Sequence, residues 1–199
     1  MAHITIYSDY VCPFCYLAEQ ILEEVRRELP QLNITVHWKA FELRPYPTPT
    51  LRPEDEYLPR IWEQAVYPMA RQLGVTIRLP SISPQPHTHL AFEGFQYARE
   101  QGKGEAYTLR MFEAFFKEDE DIGDIDILTR LAGGLGLDGA AYRQALEERR
   151  YREAHQQELE SSYRLGIRAV PTFQIGGDLY QGVLPKEQLK KIIRASVTA

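Results

Sequence analysis

Residues 8–18 read SDYVCPFCYLA, and Cys12 and Cys15 within that stretch are the only cysteines of the 199-residue chain. An alternating apolar pattern, HITIYSD (3–9), precedes the pair and reads as a β-strand. From Phe14 onward the apolar positions are Phe14, Leu17, Ala18, Ile21, Leu22, Val25 and Leu29, a helical spacing stopped by Pro30. The two thiols therefore stand at the opening turn of a helix that follows a strand. There the first meets unpaired backbone N–H groups and the positive end of the helix dipole, which favour its thiolate. Such surroundings put a cysteine pKa anywhere from about 3.5 to 7.5, against about 8.5 for the free residue. Pro13 fills a position that needs no N–H, and Phe14 brings neither charge nor hydrogen bond, so nothing between the thiols adds to the dipole.

Other uses of the pair fit less well. Bridged as a staple, they would close a tiny loop and constrain the unfolded chain little. A structural zinc site needs four ligands. His87 and His89 in PHTHLAF (86–92) would complete the number, yet residues two apart on a helix face different ways. No metal is expected.

Working outward, NITVHWKAF (33–41) supplies a second strand, and RPYPTPTLRP (44–53), with four prolines, an extended connector. Helical pattern fills the next hundred residues, over 54–73, 87–101, 104–117, 125–135, 139–148 and 150–165. The 104–117 helix carries Tyr107, Met111, Phe112, Phe115 and Phe116, a stripe suited to a helical core. KEDEDIGDID (117–126) lacks the spacing of a calcium loop and reads as a solvated turn with Asp124 capping the next helix. Two short β-runs, Thr172–Ile175 and Leu179–Gln181, are joined through GGD (176–178), a hairpin signal. LPKEQLKKIIRAS (184–196) closes as a helix. The order implies an α/β fold, one four-stranded sheet with a helical insertion.

Composition narrows the functions. Apolar residues at 44% and charged residues at 26% are ordinary for a globular chain. A net charge of −5 gives no reason to expect nucleic acid or an anionic membrane. No apolar run reaches the roughly 18 residues of a spanning helix. With Met1 at its head and no leader pattern, the chain is expected to be cytoplasmic.

CPFC after a strand, with GIRAVPTF (166–173) before a hairpin and a last helix, resembles the thioredoxin superfamily. Within it the chain is similar to the DsbA-type dithiol–disulfide oxidoreductases with a helical insertion. SDYVCPFCYLA, FELRP (41–45), AREQGKGEAYTLRMFEAFF (98–116), DIGD (121–124) and LAGGLGLD (131–138) resemble the FrnE-like branch, which includes polyketide-biosynthesis isomerases. The resemblance implies a thioredoxin-like domain from residues 1–53 and 150–199, interrupted by a helical domain at 54–149. It implies an exposed nucleophile at Cys12, a buried resolving thiol at Cys15 and a cis Pro171 against the pair. Val170 would present backbone groups to an extended substrate, with Phe14, Thr172, Tyr10 and His87 as further substrate-binding candidates. His87 occupies a place where FrnE-like chains often carry asparagine. Many relatives keep a buried acid six residues before the first cysteine, where this chain has Ile6. Asp9 and Glu42 are the substitute proton acceptors, with structural or solvated roles as the alternative for each.

Three functions compete: a thiol–disulfide oxidoreductase acting on protein or peptide thiols; a glutathione-dependent isomerase or transferase of the 2-hydroxychromene-2-carboxylate type; and a holdase without catalysis. The isomerase branch commonly carries serine at the nucleophile, so Cys12 with Cys15 favours redox work. Beyond the cysteine pair no cofactor is expected, with glutathione the co-substrate to consider.

Overall fold

A computed structural model describes residues 1–198. The chain opens with β1 (Ala2–Ser8), α1 (Pro13–Glu28) and β2 (Ile34–Ala40), a parallel pair with a crossover helix. β1 buries Ala2, Ile4 and Ile6 on one face, as its alternation requires. The chain then runs through α2 (Tyr57–Ile61), α3 (Tyr67–Leu73), α4 (His89–Glu100), α5 (Gly104–Phe116), α6 (Ile125–Gly134), α7 (Gly139–Glu147) and α8 (Arg152–Arg164). It returns as the hairpin β3 (Thr172–Ile175) and β4 (Asp178–Gln181) and ends in α9 (Lys186–Thr198). The strand order is β2-β1-β3-β4, with β3 antiparallel to both its neighbours. This is a thioredoxin-like fold with a helical insertion.

The hairpin turn explains its glycines. Gly176 and Gly177 have φ of +60° and +93°, the left-handed pair that a two-residue turn between twisted strands demands. Asp124 caps α6 by accepting from the N–H groups of Asp126 (2.7 Å) and Ile127 (3.0 Å). Asp138 does the same for α7 through Ala141 N–H.

One element departs from the sequence expectation. The helix over 54–73 is not continuous: α2 widens into a π turn at Trp62–Val66 before α3 resumes. Pro68 lies in the first turn of α3, has no N–H to donate and crowds the carbonyl one turn earlier. The wider turn relieves that conflict.

The insertion and the sheet share one core. Tyr107, Met111, Phe112, Phe115 and Phe116 of α5 are all fully buried. Phe112 meets Trp38 of β2 edge-on at 6.1 Å, and Phe116 stacks on Tyr16 of α1 at 5.7 Å. Inside the helical layer the Tyr107 and Tyr142 hydroxyls bond at 2.7 Å directly over Gly94 of α4. A Cβ there would lie 2.1 Å from one hydroxyl oxygen and 2.3 Å from the other. Gly94→Ala is therefore expected to destabilise the protein by about 1–3 kcal/mol, seen as a lower urea midpoint with an unchanged slope.

Candidate active site

The end of β1 carries the chain to the head of α1, and the site is built at that corner. Cys12 is the N-cap of α1, in extended conformation, with Pro13 as the first helical residue. Its N–H donates to the Asp9 carbonyl at 3.1 Å, and its own carbonyl accepts from Cys15 N–H at 3.1 Å. Both cysteines are free thiols. From the far end of the sequence, the loop before β3 brings Val170 onto the pair: the Cys12 thiol donates to the Val170 carbonyl at 3.7 Å. The Val170–Pro171 peptide bond is cis. Thr172 braces this loop through its hydroxyl, which donates to the Ala169 carbonyl at 2.7 Å.

The two thiols are not split into one exposed and one buried. Cys12 is 3% exposed and Cys15 1%, so the expected exposure of Cys12 is corrected. The Val170 carbonyl lies over its sulfur, and half-buried Val11, Phe14 and Val170 pack around the same core. Burial pushes the Cys15 thiol well up, and a hydrogen bond with Cys12 holds it further in the protonated form. The Asp9 backbone N–H, by contrast, bonds the Cys15 sulfur and favours its anion.

Asp9 lies in the interior, 1% exposed, which removes the solvated alternative. One carboxylate oxygen, Oδ2, accepts from Leu43 N–H at 2.8 Å, while Oδ1 has no partner. Burial raises its carboxyl to about 6, against lowering by hydrogen bonds from Leu43, Thr88 and Val11; the Glu42 charge raises it further. Glu42 is also interior and bonds through Oε1 to His155 Nε2. Asp9 thus stands at the end of β1 and Glu42 just past the end of the neighbouring β2.

Other expected residues have different places. Tyr10 does not line a surface cleft; it is 1% exposed, stacked on Phe92 at 4.4 Å with its hydroxyl 3.3 Å from Thr108 Oγ1. It pins the cysteine loop to α4 and α5. His87 bonds the Thr48 carbonyl at 2.8 Å and meets the Tyr46 ring, so it ties the proline connector to the start of α4. His155 escaped sequence reasoning. Yet His155, Glu158, Leu159 and Ser162 repeat at helical spacing on the buried face of α8, a polar stripe that the amphipathic pattern contained.

The DSBA-like thioredoxin domain family matches residues 3–194. The chain belongs to that family. It is 47% identical over 193 residues to the uncharacterized protein YwbO of Bacillus subtilis (strain 168), covering 96% of this chain and 95% of that one. Among solved structures, a probable DsbA oxidoreductase from Streptomyces coelicolor superposes with a TM-score of 0.81 at 21% identity, over 100% of this chain and 91% of the other. A 2-hydroxychromene-2-carboxylate isomerase superposes with a TM-score of 0.76 at 17% identity, over 98% and 95%. At these identities the likeness carries the fold alone, so the choice of chemistry falls to the site residues. None of the described helices is long and apolar enough to cross a membrane.

Asp9 also marks the site in the stability of the protein. The folded chain binds its proton more tightly than the unfolded chain, so the associated stability is complete below about pH 4 and is lost as pH rises through 6. Asp9→Asn, neutral throughout, does not suffer that loss. The variant is expected to match the wild type near pH 4 and to exceed it by about 3 kcal/mol at pH 8 in chemical denaturation. An equal offset at both pH values would contradict this.

Proposed function

We propose that this protein is a thiol–disulfide oxidoreductase that works through Cys12 and Cys15 on protein or peptide disulfides. The observation that carries the reading is the convergence of two free thiols at a helix start, the Val170 carbonyl with its cis bond to Pro171 over the first thiol, and a buried carboxyl whose charge reaches the second. In the reducing direction Cys12, having released its proton, attacks one sulfur of the substrate disulfide. The substrate S–S bond breaks, one substrate thiolate leaves, and a mixed disulfide forms. The N–H groups opening α1 face the charge that develops on Cys12.

Cys15 then gives its proton to the Asp9 carboxylate and attacks the Cys12 sulfur. The second substrate thiolate leaves and the Cys12–Cys15 disulfide forms, two electrons having passed to the substrate. Run backwards, the same steps oxidise a substrate dithiol. Asp9 suits the role because its carboxyl titrates near 6, well placed to exchange a proton close to neutral pH. Glutathione is the small thiol proposed to return the protein disulfide to the dithiol. With only Pro13 and Phe14 between the cysteines, the couple is proposed to be less oxidising than the strongest disulfide donors.

The test is rapid quenching and intact-mass analysis after mixing the reduced protein with glutathione disulfide. Wild type should pass through a mixed disulfide to the internal disulfide. Cys12→Ser should lose exchange altogether, and Cys15→Ser should stop at the mixed disulfide. Asp9→Asn should form the mixed disulfide yet resolve it about 100-fold more slowly. A wild-type protein that exchanges with neither glutathione disulfide nor insulin, but turns over a hydroxychromene substrate, would move the assignment to the isomerase.

A further inference from the structure

We propose that Glu42 and His155 are positioning residues for the proton that moves between Cys15 and Asp9: the Glu42 carboxylate strengthens the hold of Asp9 on that proton, and His155 fixes Glu42 and links it to a surface cleft. This rests on the redox reading above.

The segment just after β2 makes the arrangement. Leu43 gives its N–H to Asp9 Oδ2, and its neighbour Glu42 places a second buried carboxylate close enough to oppose ionisation of Asp9. Glu42 Oε1 meets His155 Nε2, whereas Glu42 Oε2 and His155 Nδ1 have no partner among the described residues. A buried carboxylate left half unpaired is costly. That costly burial beside a second buried acid is explained if its charge acts on Asp9.

His155 is well held. Its ring stacks on Phe92 at 5.3 Å with planes 15° apart, and Phe92 stacks in turn on Tyr10 in the cysteine loop. On its other side His155 lines a cleft of about 500 Å³ shared with Glu42, His89, Glu93, Arg149 and Arg152. Arg149 is engaged by Glu93, with its Nε at 2.9 Å and Nη2 at 2.6 Å from the carboxylate oxygens. His155 is thus the nearest compensating group for Glu42.

The groups that face this system can be named. Asp9 faces Glu42, Cys15 and the Tyr10 and Tyr163 hydroxyls. Glu42 faces Asp9, His155, His89, Arg149 and Tyr163. His155 holds Glu42 through Nε2 and so keeps its carboxylate turned where its charge is felt at Asp9.

The decisive measurement is the pH profile, from 4.5 to 8, of mixed-disulfide resolution after reaction with glutathione disulfide. Wild type should resolve faster as pH rises, with a midpoint near that of Asp9. Glu42→Gln removes the charge and should lower the midpoint by about half a unit or more. His155→Gln keeps a donor for Glu42 but cannot become charged, and its midpoint should not fall. An unmoved midpoint in Glu42→Gln, a fall in both variants, or a loss of rate equal at every pH would each overturn the proposal. Failure of the wild type to form a mixed disulfide at all would instead strike the oxidoreductase reading, so the two failures are distinct.

Discussion

Asp9 makes three bonds with three different groups. Its carbonyl fixes the N–H of Cys12, its N–H meets the sulfur of Cys15, and its carboxylate holds the N–H of Leu43. The end of β1, the head of α1 and the segment leaving β2 are thereby locked around one buried acid. Each of those bonds also sets the chemistry. The carbonyl and N–H orient the two sulfurs, and the carboxylate, short of partners and out of water, has the proton affinity of a base useful near neutral pH.

The surrounding packing leaves that acid buried. Tyr10, one residue on, points inward and is sandwiched with Phe92 and Phe112 of the insertion. Thr88, immediately before α4, adds a hydrogen bond to Asp9. The helical insertion is therefore more than a cover for the sheet. It supplies Thr88 to Asp9 and the rings that hold Tyr10, and its aromatic helix α5 shares a core with Tyr16 and Trp38. A folded protein that buries an ionised carboxylate gives up stability for reactivity, a trade common at active sites.

What the sequence disclosed follows from how local each signal is. The cysteine pair, the glycine turn of the β3–β4 hairpin and the Asp124 cap depend on neighbours within a few residues, and all were legible. The wide turn at Trp62–Val66 was hidden because periodicity sees apolar spacing, whereas the break comes from the missing N–H of Pro68. Tyr10 was misplaced because an aromatic beside a reactive motif reads equally well as a cleft wall or a core ring. Only Phe92 and Phe112, remote in sequence, decide between them. The burial of Cys12 likewise depends on Val170, a contact between opposite ends of the chain. His155 meets Glu42 across 113 positions of sequence, and no pattern along either segment announces the partner.

Shared architecture leaves the chemistry open, since an isomerase and a probable disulfide oxidoreductase both superpose on this chain along nearly all its length. What the proposed exchange would use at this corner, and an isomerase would not, is the second sulfur and the acid near it. A lone nucleophile at the head of α1 would need no base behind position 15. Here the second thiol is pressed into the protonated form by its surroundings, and so cannot act until something accepts its proton. Asp9 bonds that sulfur through its backbone N–H, and its carboxylate acts on the thiol through its charge. Besides holding the loop together, the buried acid gains a second use under the proposed disulfide exchange, in which Cys15 would lose a proton during turnover.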